Sequence, residues 1–248
     1  MITATELGKR AKTFALPFLD VFFPNLCRFC GKTASDSWLC NACLDSIRKI
    51  SDAAHCVKCG RPFAGAIETP GSCGECLTEK RWFEAMRSAF FYDGNVAEAV
   101  RDLKYNKKTE LARPMAKWVS LAAKGLGEGG FDTVMPVPLH LKRLRERGFN
   151  QSLLIAREVS KRLGARLSYD NLERIRHTRP QVELEHNERS ANVKDAFALR
   201  DKGAVKNRRV LLIDDVCTTG ATIAECSKVL ARAGAAVYVA TFAMAVKL

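Results

Sequence analysis

The sequence lacks a recognisable secretory signal. A short apolar stretch at residues 14–23 follows three basic residues, as in a signal peptide, but Pro17 and Asp20 interrupt it. No small-residue cleavage site follows it. It is also too short to cross a bilayer, which takes about 20 apolar residues. We therefore predict an amphipathic helix within residues 1–24, a cytoplasmic protein and no stable membrane insertion.

Acidic residues are scarce relative to basic ones. The 248 residues include 40 Lys and Arg against 27 Asp and Glu, which gives a net charge of +13. The excess is uneven, with eleven basic against four acidic side chains between residues 141 and 179. Such charge favours polyanionic partners. A solvated helix face, a phosphate-rich substrate and single-stranded DNA or another nucleic acid all remain open as explanations.

Histidine is rare, with 4 residues, whereas cysteine is abundant, with 10. Many cysteines without a secretory signal indicate metal binding and not disulfides. Eight of them form four C-x-x-C pairs, and two such pairs complete one tetrahedral zinc site. Two Zn²⁺ ions are the natural number; sequential pairing is favoured, and interleaved pairing and redox-active dithiols stay open. The predicted ligands are Cys27, Cys30, Cys40, Cys43, Cys56, Cys59, Cys73 and Cys76.

The predicted zinc module spans residues 25–80. Closed Cys₄ sites are structural, and such a site contributes on the order of 10–16 kcal/mol to coupled binding and folding. The module therefore serves as a structural scaffold or as a binding surface for nucleic acid or protein. Two cysteines fall outside the pattern: Cys217 fills a loop position for a small residue, and Cys226 belongs to a helix core.

The segment at residues 210–222 has the composition of a sugar-phosphate site. Four apolar residues predict a central parallel strand that is buried on both faces. Asp214 and Asp215 follow, and two adjacent carboxylates can accept hydrogen bonds from two ribose hydroxyls. Residues 218–222 then offer hydroxyls and backbone N–H groups at a helix N-terminus, which suits a phosphate. Gly220 lets the backbone approach that phosphate closely.

Other segments alternate between strand and helix. Strands are predicted at residues 88–92, 132–137 and 236–246, and helices at 96–104, 111–126 and 150–164. This order predicts an α/β domain over residues 86–248, with a doubly wound parallel sheet flanked by helices. The loop after the second strand, which begins with Pro136, is expected beside the loop at residues 214–222.

The segment at residues 210–222 resembles the motif with which type I phosphoribosyltransferases bind 5-phosphoribosyl 1-diphosphate (PRPP). A wider resemblance, from Cys27 onward, is to the ComF/GntX family of phosphoribosyltransferase-like proteins with an N-terminal double zinc-ribbon module. It rests on the cysteine pairs, on residues 136–138, on Arg143 with residues 147–151, and on residues 174–181, followed by Leu184, Arg189, Asn192, Ala196 and Phe197.

The resemblance implies a type I phosphoribosyltransferase fold, Mg²⁺ with PRPP, and roles for individual residues. Asp214 and Asp215 would be the catalytic pair that holds the ribose hydroxyls. Val137, Arg143 and Arg147 would meet pyrophosphate, and Arg176, Thr178 and Gln181 would lie on a loop that closes over the site. The 5′-phosphate would be held by Thr218, Thr219, Gly220, Ala221 and Thr222.

Three functions are consistent with these features. The first is a phosphoribosyltransferase, of the glycosyltransferase class, with an unknown acceptor, since no residue stands out as a base. The second is a nucleic-acid-handling protein that keeps the fold, because several family members are linked to DNA uptake in natural competence. The third is an adaptor that senses PRPP or a nucleotide and binds proteins through its zinc module. The second would bring competence-machinery proteins as partners.

Overall fold

The computed structural model describes residues 26–27, 31–34, 39–63, 71–176 and 191–246. The chain divides into two compact units, residues 1–47 and 48–248. In the first unit Leu26 and Thr33 form an antiparallel bridge, and α1 spans Asn41–Asp45. The helix predicted within residues 1–24 lies outside the described residues, as do Cys30, Thr178 and Gln181.

The second unit holds a five-stranded sheet with helices around it. Its strands are β1 Ala85–Phe91, β2 Thr133–Pro136, β3 Arg166–Leu167, β6 Arg209–Cys217 and β7 Ala236–Met244, while β4 Leu172–Arg174 and β5 Phe197–Leu199 form a separate antiparallel pair. The α-helices are α2 Gly74–Thr78, α3 Gly94–Tyr105, α4 Ala112–Lys124, α5 Leu141–Arg147, α6 Gln151–Leu163 and α7 Ala221–Arg232. Short 3₁₀ helices cover Ile50–Asp52, Thr109–Leu111 and Gly203–Val205.

The sheet has the order β1-β7-β6-β2-β3, and all of its pairings are parallel. Its central strand β6 begins with four consecutive apolar residues that are completely buried, Val210 to Ile213. A strand with neighbours on both edges and helices on both faces needs such an uninterrupted apolar run. The parallel α/β sheet predicted from the sequence is therefore confirmed.

The chain reverses its direction of travel across the sheet between β2 and β6. From β2 the chain continues to the neighbouring β3 at one end of the sheet, whereas from β6 it continues to β7 on the other side. The loops after β2 and β6 therefore part from each other and leave a crevice at the carboxyl ends of the two strands. Open α/β sheets bind their ligands at such a switch point.

Two helices follow β2 where the sequence predicted only one. The predicted helix at residues 150–164 is present as α6, with Asn150 as its N-cap and left-handed Gly164 after its last turn. The stretch before it was expected to be a loop, but it forms the short helix α5. The His140 side chain accepts a hydrogen bond from the backbone N–H of Lys142 at the start of α5, and Gly148, with φ of 85°, ends the helix.

The second pair of C-x-x-C motifs belongs to the same compact unit as the sheet, so the module predicted over residues 25–80 is divided between the two units. The knuckle between Cys56 and Gly60 lies against β1. The Met86 N–H donates to the Lys58 carbonyl at 2.8 Å, and the Arg87 guanidinium donates to the Val57 carbonyl at 3.0 Å. At Gly60, with φ of 68°, a Cβ would lie 2.6 Å from the Met86 carbonyl oxygen, so only glycine permits this contact.

Among the helices of the described ranges, none combines the length and the apolar character that a bilayer crossing requires.

Candidate functional site

The two adjacent carboxylates lie at the crevice, within the carboxyl-terminal part of β6. Both are buried, and each has partners from other elements. The Ser152 hydroxyl donates to Asp214 Oδ1 at 2.8 Å. The Lys104 Nζ lies 2.5 Å from Asp215 Oδ2, and the Gln151 amide donates to Asp215 Oδ1 at 3.5 Å. Helices α3 and α6 thus hold the acidic pair in place.

The electrostatics of the pair follow from its burial. Burial, together with the neighbouring charge of Asp215, raises the pKa of Asp214 to about 7, against the partial compensation by Lys104 and the Ser152 hydroxyl. Burial alone would lower the pKa of Lys104, but the charge of Asp215 outweighs it, and the pKa of Lys104 is raised. Lys104 is therefore an ammonium held beside Asp215 at neutral pH.

The N-terminus of α6 organises the crevice. The Asn150 side-chain oxygen accepts hydrogen bonds from the backbone N–H groups of Ser152 and Leu153, which caps the helix. The Asn150 amide nitrogen donates to the Val137 carbonyl at 3.0 Å and so fixes the loop that follows β2. One residue therefore sets the relative position of that loop and of the first turn of α6.

The loop at residues 218–222, here called the phosphate loop, connects β6 to α7. Gly220 is the N-cap of α7 with φ of 77°, a left-handed conformation that favours glycine. The Thr219 hydroxyl accepts from the Ala221 N–H at 3.4 Å. Thr222 lies in the first turn of the twelve-residue helix α7. The predicted residues of the loop thus surround one helix N-terminus, where backbone donors and the helix dipole favour an anion.

Cys217 precedes this loop and is buried. Burial raises the pKa of the Cys217 thiol to about 12. A buried thiol with a raised pKa is not an activated nucleophile. Cys217 was predicted at a loop position, but it is the last residue of β6 and pairs with Met244 of β7. Cys226 is fully buried in α7, as predicted.

Arg143 and Arg147 lie on α5 and face the end of α3. Together with Lys104, Tyr105, Lys107 and Glu146 they line a cleft of about 540 Å³ including its open mouth, which we call the cationic cleft. The Arg147 guanidinium lies over the Tyr105 ring at 5.4 Å and donates to the Gln151 side chain at 2.5 Å. Because Gln151 also contacts Asp215, the cleft is linked directly to the acidic pair.

Arg176 is the one described member of the predicted closing segment. It is exposed, and its guanidinium donates to the backbone carbonyls of Asn192 and Lys194 at 3.0 and 2.6 Å. These contacts tie the end of the β4 segment to the residues before β5. Within the described residues, no hydrogen bond or ion pair joins Arg176 to the acidic pair or the phosphate loop.

A second cavity borders the phosphate loop. It measures about 470 Å³ including its open mouth, and we call it the loop cavity. Residues 218–220 form one wall, and Arg61, Glu75 and Arg81 form part of the wall contributed by the second cysteine motifs. Glu75 pairs with both guanidiniums, with Arg81 at 2.9 Å. Its apolar lining includes Phe83, Met86 and Met244.

The cysteines form two groups with the geometry of metal sites. The sulfur atoms of Cys56, Cys59, Cys73 and Cys76 all lie within 4.8 Å of one another, as do those of Cys27, Cys40 and Cys43. The backbone N–H groups of Cys59 and Cys73 donate to Cys56 Sγ at 3.5 and 3.2 Å, which favours a thiolate. Four converging sulfurs fit a tetrahedral Zn²⁺ ion. Pairing is sequential in the groups that the structure describes, and interleaved pairing is excluded for the second.

Three residues of the crevice were not predicted from the sequence. Gln151 and Ser152 come from the first turn of α6, and Lys104 comes from the last turn of α3. Gln151 ends a stretch that carries the family resemblance, so a signal for it was present. Lys104 and Ser152 have no local pattern that separates them from other helix residues.

Comparisons with known proteins agree with both parts of the chain. A family model described as a double zinc ribbon domain matches residues 18–77, and one described as a phosphoribosyl transferase domain matches residues 150–246. The DNA utilization protein YhgH of Salmonella typhi is 32% identical over 219 residues, which is 86% of this chain and 93% of that protein.

Two further relatives carry names connected with competence. Competence protein F of Haemophilus influenzae is 29% identical over 79% of this chain and 85% of its own length. Competence protein ComFC of Bacillus subtilis is 24% identical over 84% of each chain. With a relative above 30% identity along nearly its whole length, and with structural zinc sites joined to a phosphoribosyltransferase-type sheet, this chain belongs to the ComF/GntX family.

Proposed function

We propose that the protein binds PRPP with Mg²⁺ and transfers its phosphoribosyl group to an acceptor. The observation that carries this proposal is the junction of Asp214 and Asp215 with the phosphate loop at the switch point of the sheet. Two carboxylates accept hydrogen bonds from the ribose hydroxyls, while the N-terminus of α7 binds the 5′-phosphate. The sugar is thereby held at both ends, with its anomeric carbon toward the cationic cleft.

The transfer is a displacement at the anomeric carbon. The bond between that carbon and the diphosphate oxygen breaks, the diphosphate leaves with the electron pair, and the acceptor forms the new bond. Positive charge grows on the sugar and negative charge on the leaving group, so fixed carboxylates beside the sugar and cations beside the diphosphate stabilise the transition state. Mg²⁺ neutralises diphosphate when bound, and Asp214 and Asp215 offer the oxygen ligands that this ion prefers.

The loop cavity is the space we assign to the acceptor. It adjoins Cys217 and Thr218, which come one residue after the acidic pair along the chain. Its polar wall provides donors from two arginines and an acceptor from Glu75, and its lining is otherwise partly apolar. Such a mixture suits a small planar molecule with polar edges.

PRPP binding tests the proposal directly. Calorimetric titration with PRPP and Mg²⁺ should show saturable binding to the zinc-loaded protein, and the double variant Asp214→Ala/Asp215→Ala should bind roughly 100-fold more weakly. The reason is that hydrogen bonds to charged groups contribute about 1.5–3 kcal/mol each. Asp52→Ala, at an exposed carboxylate of the 3₁₀ helix, is the matched control and should bind like the native protein. Absence of binding to the native protein would contradict the proposal.

A second candidate function is the binding of single-stranded DNA, and the cationic cleft favours it. Tyr105 is 61% exposed at a cleft with four basic side chains, and single strands bind by base stacking on aromatics beside cations. In this proposal the relatives' association with DNA use and competence extends to this chain, and competence-machinery proteins are its partners.

Salt dependence tests the DNA-binding candidate. The affinity for a labelled oligothymidylate should fall steeply as salt rises, with a slope of about −0.7 per phosphate neutralised. Tyr105→Ala should weaken binding by about 1–3 kcal/mol because it removes a stacking surface. Tyr169→Ala, at an equally exposed tyrosine away from the cleft, is the control. Undetectable binding at low salt would exclude this function.

A further inference from the structure

Lys104 forms an ion pair that the proposed substrate must disturb. Its Nζ lies 2.5 Å from Asp215 Oδ2, and its side chain is 22% exposed while that of Asp215 is 3% exposed. The same carboxylate is the one that must accept a hydrogen bond from a ribose hydroxyl. Substrate binding therefore adds a competing donor at an oxygen that already has a charged partner.

The opposite side of Lys104 faces the cationic cleft. The cleft holds four basic side chains, Lys104, Lys107, Arg143 and Arg147, against the single carboxylate of Glu146. Burial lowers the pKa of Arg147, which reflects the cost of keeping this charge away from water. An anion with three or more negative charges would balance the net positive charge of the side chains that line the cleft, and a diphosphate carries that charge.

We propose that Lys104 moves its ammonium from Asp215 to the diphosphate of the sugar substrate when the cationic cleft, whose arginines the family resemblance already assigns to pyrophosphate, binds that substrate. The inference rests on the proposed function and adds Lys104 and Lys107, from the α3 end, to the arginines of α5. Lys104 then binds the diphosphate. Asp215 becomes free to accept a hydrogen bond from a ribose hydroxyl only when a diphosphate is present.

This exchange predicts selectivity between two sugars that share the same 5′-phosphate and differ at the anomeric carbon. PRPP supplies a new partner for Lys104, so the binding of PRPP does not leave the ammonium of Lys104 unpaired. Ribose 5-phosphate has no diphosphate, and to use Asp215 it must weaken the existing ion pair without replacing it. An uncompensated buried charge is costly, so the native protein should prefer PRPP.

Paired titrations of Lys104→Met, Lys107→Met and the native protein test the exchange, with PRPP and Mg²⁺, ribose 5-phosphate and inorganic diphosphate as ligands. Lys104→Met should lower the PRPP affinity at least tenfold, while the affinity for ribose 5-phosphate stays unchanged or rises because Asp215 is free. Lys107→Met should cause a smaller, severalfold loss for PRPP alone. Lys104→Arg should restore part of the affinity. Lys108→Met is the control, since Lys108 pairs with Asp102 outside the cleft.

The outcomes separate the exchange from the function on which it rests. Equal losses for PRPP and ribose 5-phosphate in Lys104→Met, or no loss for either, would overturn the exchange while PRPP binding stands. If the native protein binds inorganic diphosphate through Lys104 and Lys107 but does not bind PRPP, the proposed function fails and the cleft assignment survives. If Lys104→Met does not fold, the diphosphate-selective loss in Lys107→Met decides the cleft assignment, and an unselective or absent loss overturns it.

Discussion

Replacing Cys73 with serine is expected to remove one of two zinc ions and to unfold the segment around it. Cys73 is one of four sulfurs that converge within 4.8 Å, and three ligands with a hydroxyl cannot complete the same Cys₄ site. A structural zinc site contributes on the order of 10–16 kcal/mol to coupled binding and folding, so this is the largest effect that we predict. Metal analysis by mass spectrometry should show the stoichiometry falling from two ions to one.

The loss should extend beyond the metal. The second cysteine group supplies Cys59 and Arg61 to the loop cavity, and its knuckle is hydrogen-bonded to β1. Thermal unfolding should therefore become less cooperative and begin at a lower temperature. Cys226→Ala is the matched control, because it removes a fully buried thiol that is not a metal ligand. It should keep both ions, and unchanged zinc content in Cys73→Ser would refute the assignment.

Asp214→Asn is expected to stabilise the protein above neutral pH while it weakens PRPP binding. The pKa of Asp214 is raised from 3.8 to about 7 by burial and by the charge of Asp215. The folded state therefore binds the Asp214 proton more tightly than the unfolded chain, which contributes stability at low pH. That contribution disappears as pH rises through 7. Asparagine stays neutral at every pH, and its side-chain oxygen can still accept the hydrogen bond from the Ser152 hydroxyl. The variant should therefore not lose stability as the pH rises through 7.

The size and the pH range of this effect can be measured. Native and variant proteins should have similar stability below pH 4, and the difference should grow through pH 7 to a few kcal/mol, at about 1.4 kcal/mol for each pKa unit. Denaturant unfolding between pH 4 and 8 gives the curve, and Asp52→Asn should show no such trend. A variant that is less stable than the native protein at pH 8 would contradict the raised pKa.

The expected gain in stability and the expected loss of PRPP affinity in Asp214→Asn have the same physical cause. A carboxylate that is held away from water at a strand end is unfavourable to the fold and useful to a ligand with hydroxyl donors. Proteins commonly place such destabilising groups where they bind substrates. Loss of PRPP affinity together with a gain in stability would therefore support a binding role, whereas loss of both would indicate a structural role.

The sequence predicted those parts of the fold that depend on local patterns. Four apolar residues before Asp214 define the central strand, Asn150 and Gly164 delimit α6, and the C-x-x-C spacing predicted the cysteine groups. In each case the information lies within a few adjacent residues. The helix α5 was missed because only Leu141 and Leu144 of its seven residues are apolar and none of the seven is buried. Its bounds depend on a histidine cap and on Gly148.

The partners of the acidic pair could not be predicted in the same way. The contact between Lys104 and Asp215 joins helix α3 to strand β6, two elements that lie far apart in the sequence. A helical lysine has no local feature that indicates a buried partner. Ser152 is equally unremarkable in the sequence, although its hydroxyl reaches Asp214. Only the fold brings these donors to the carboxylates, which is why the sequence pointed to the acids and not to the residues that hold them.

The position of β1 at the end of the sheet has a consequence for dissecting the protein. Residues 48–58 supply hydrogen-bond partners to this strand: Arg48 and Lys58 accept from its N–H groups, and Lys49 forms an antiparallel bridge with Phe90. In a shortened chain that starts after the second cysteine group, β1 would be an exposed edge strand with unpaired backbone groups. Exposed edge strands pair with strands of other chains, so such a fragment should self-associate. A fragment that starts at Arg48 keeps the residues that cover β1 and should not.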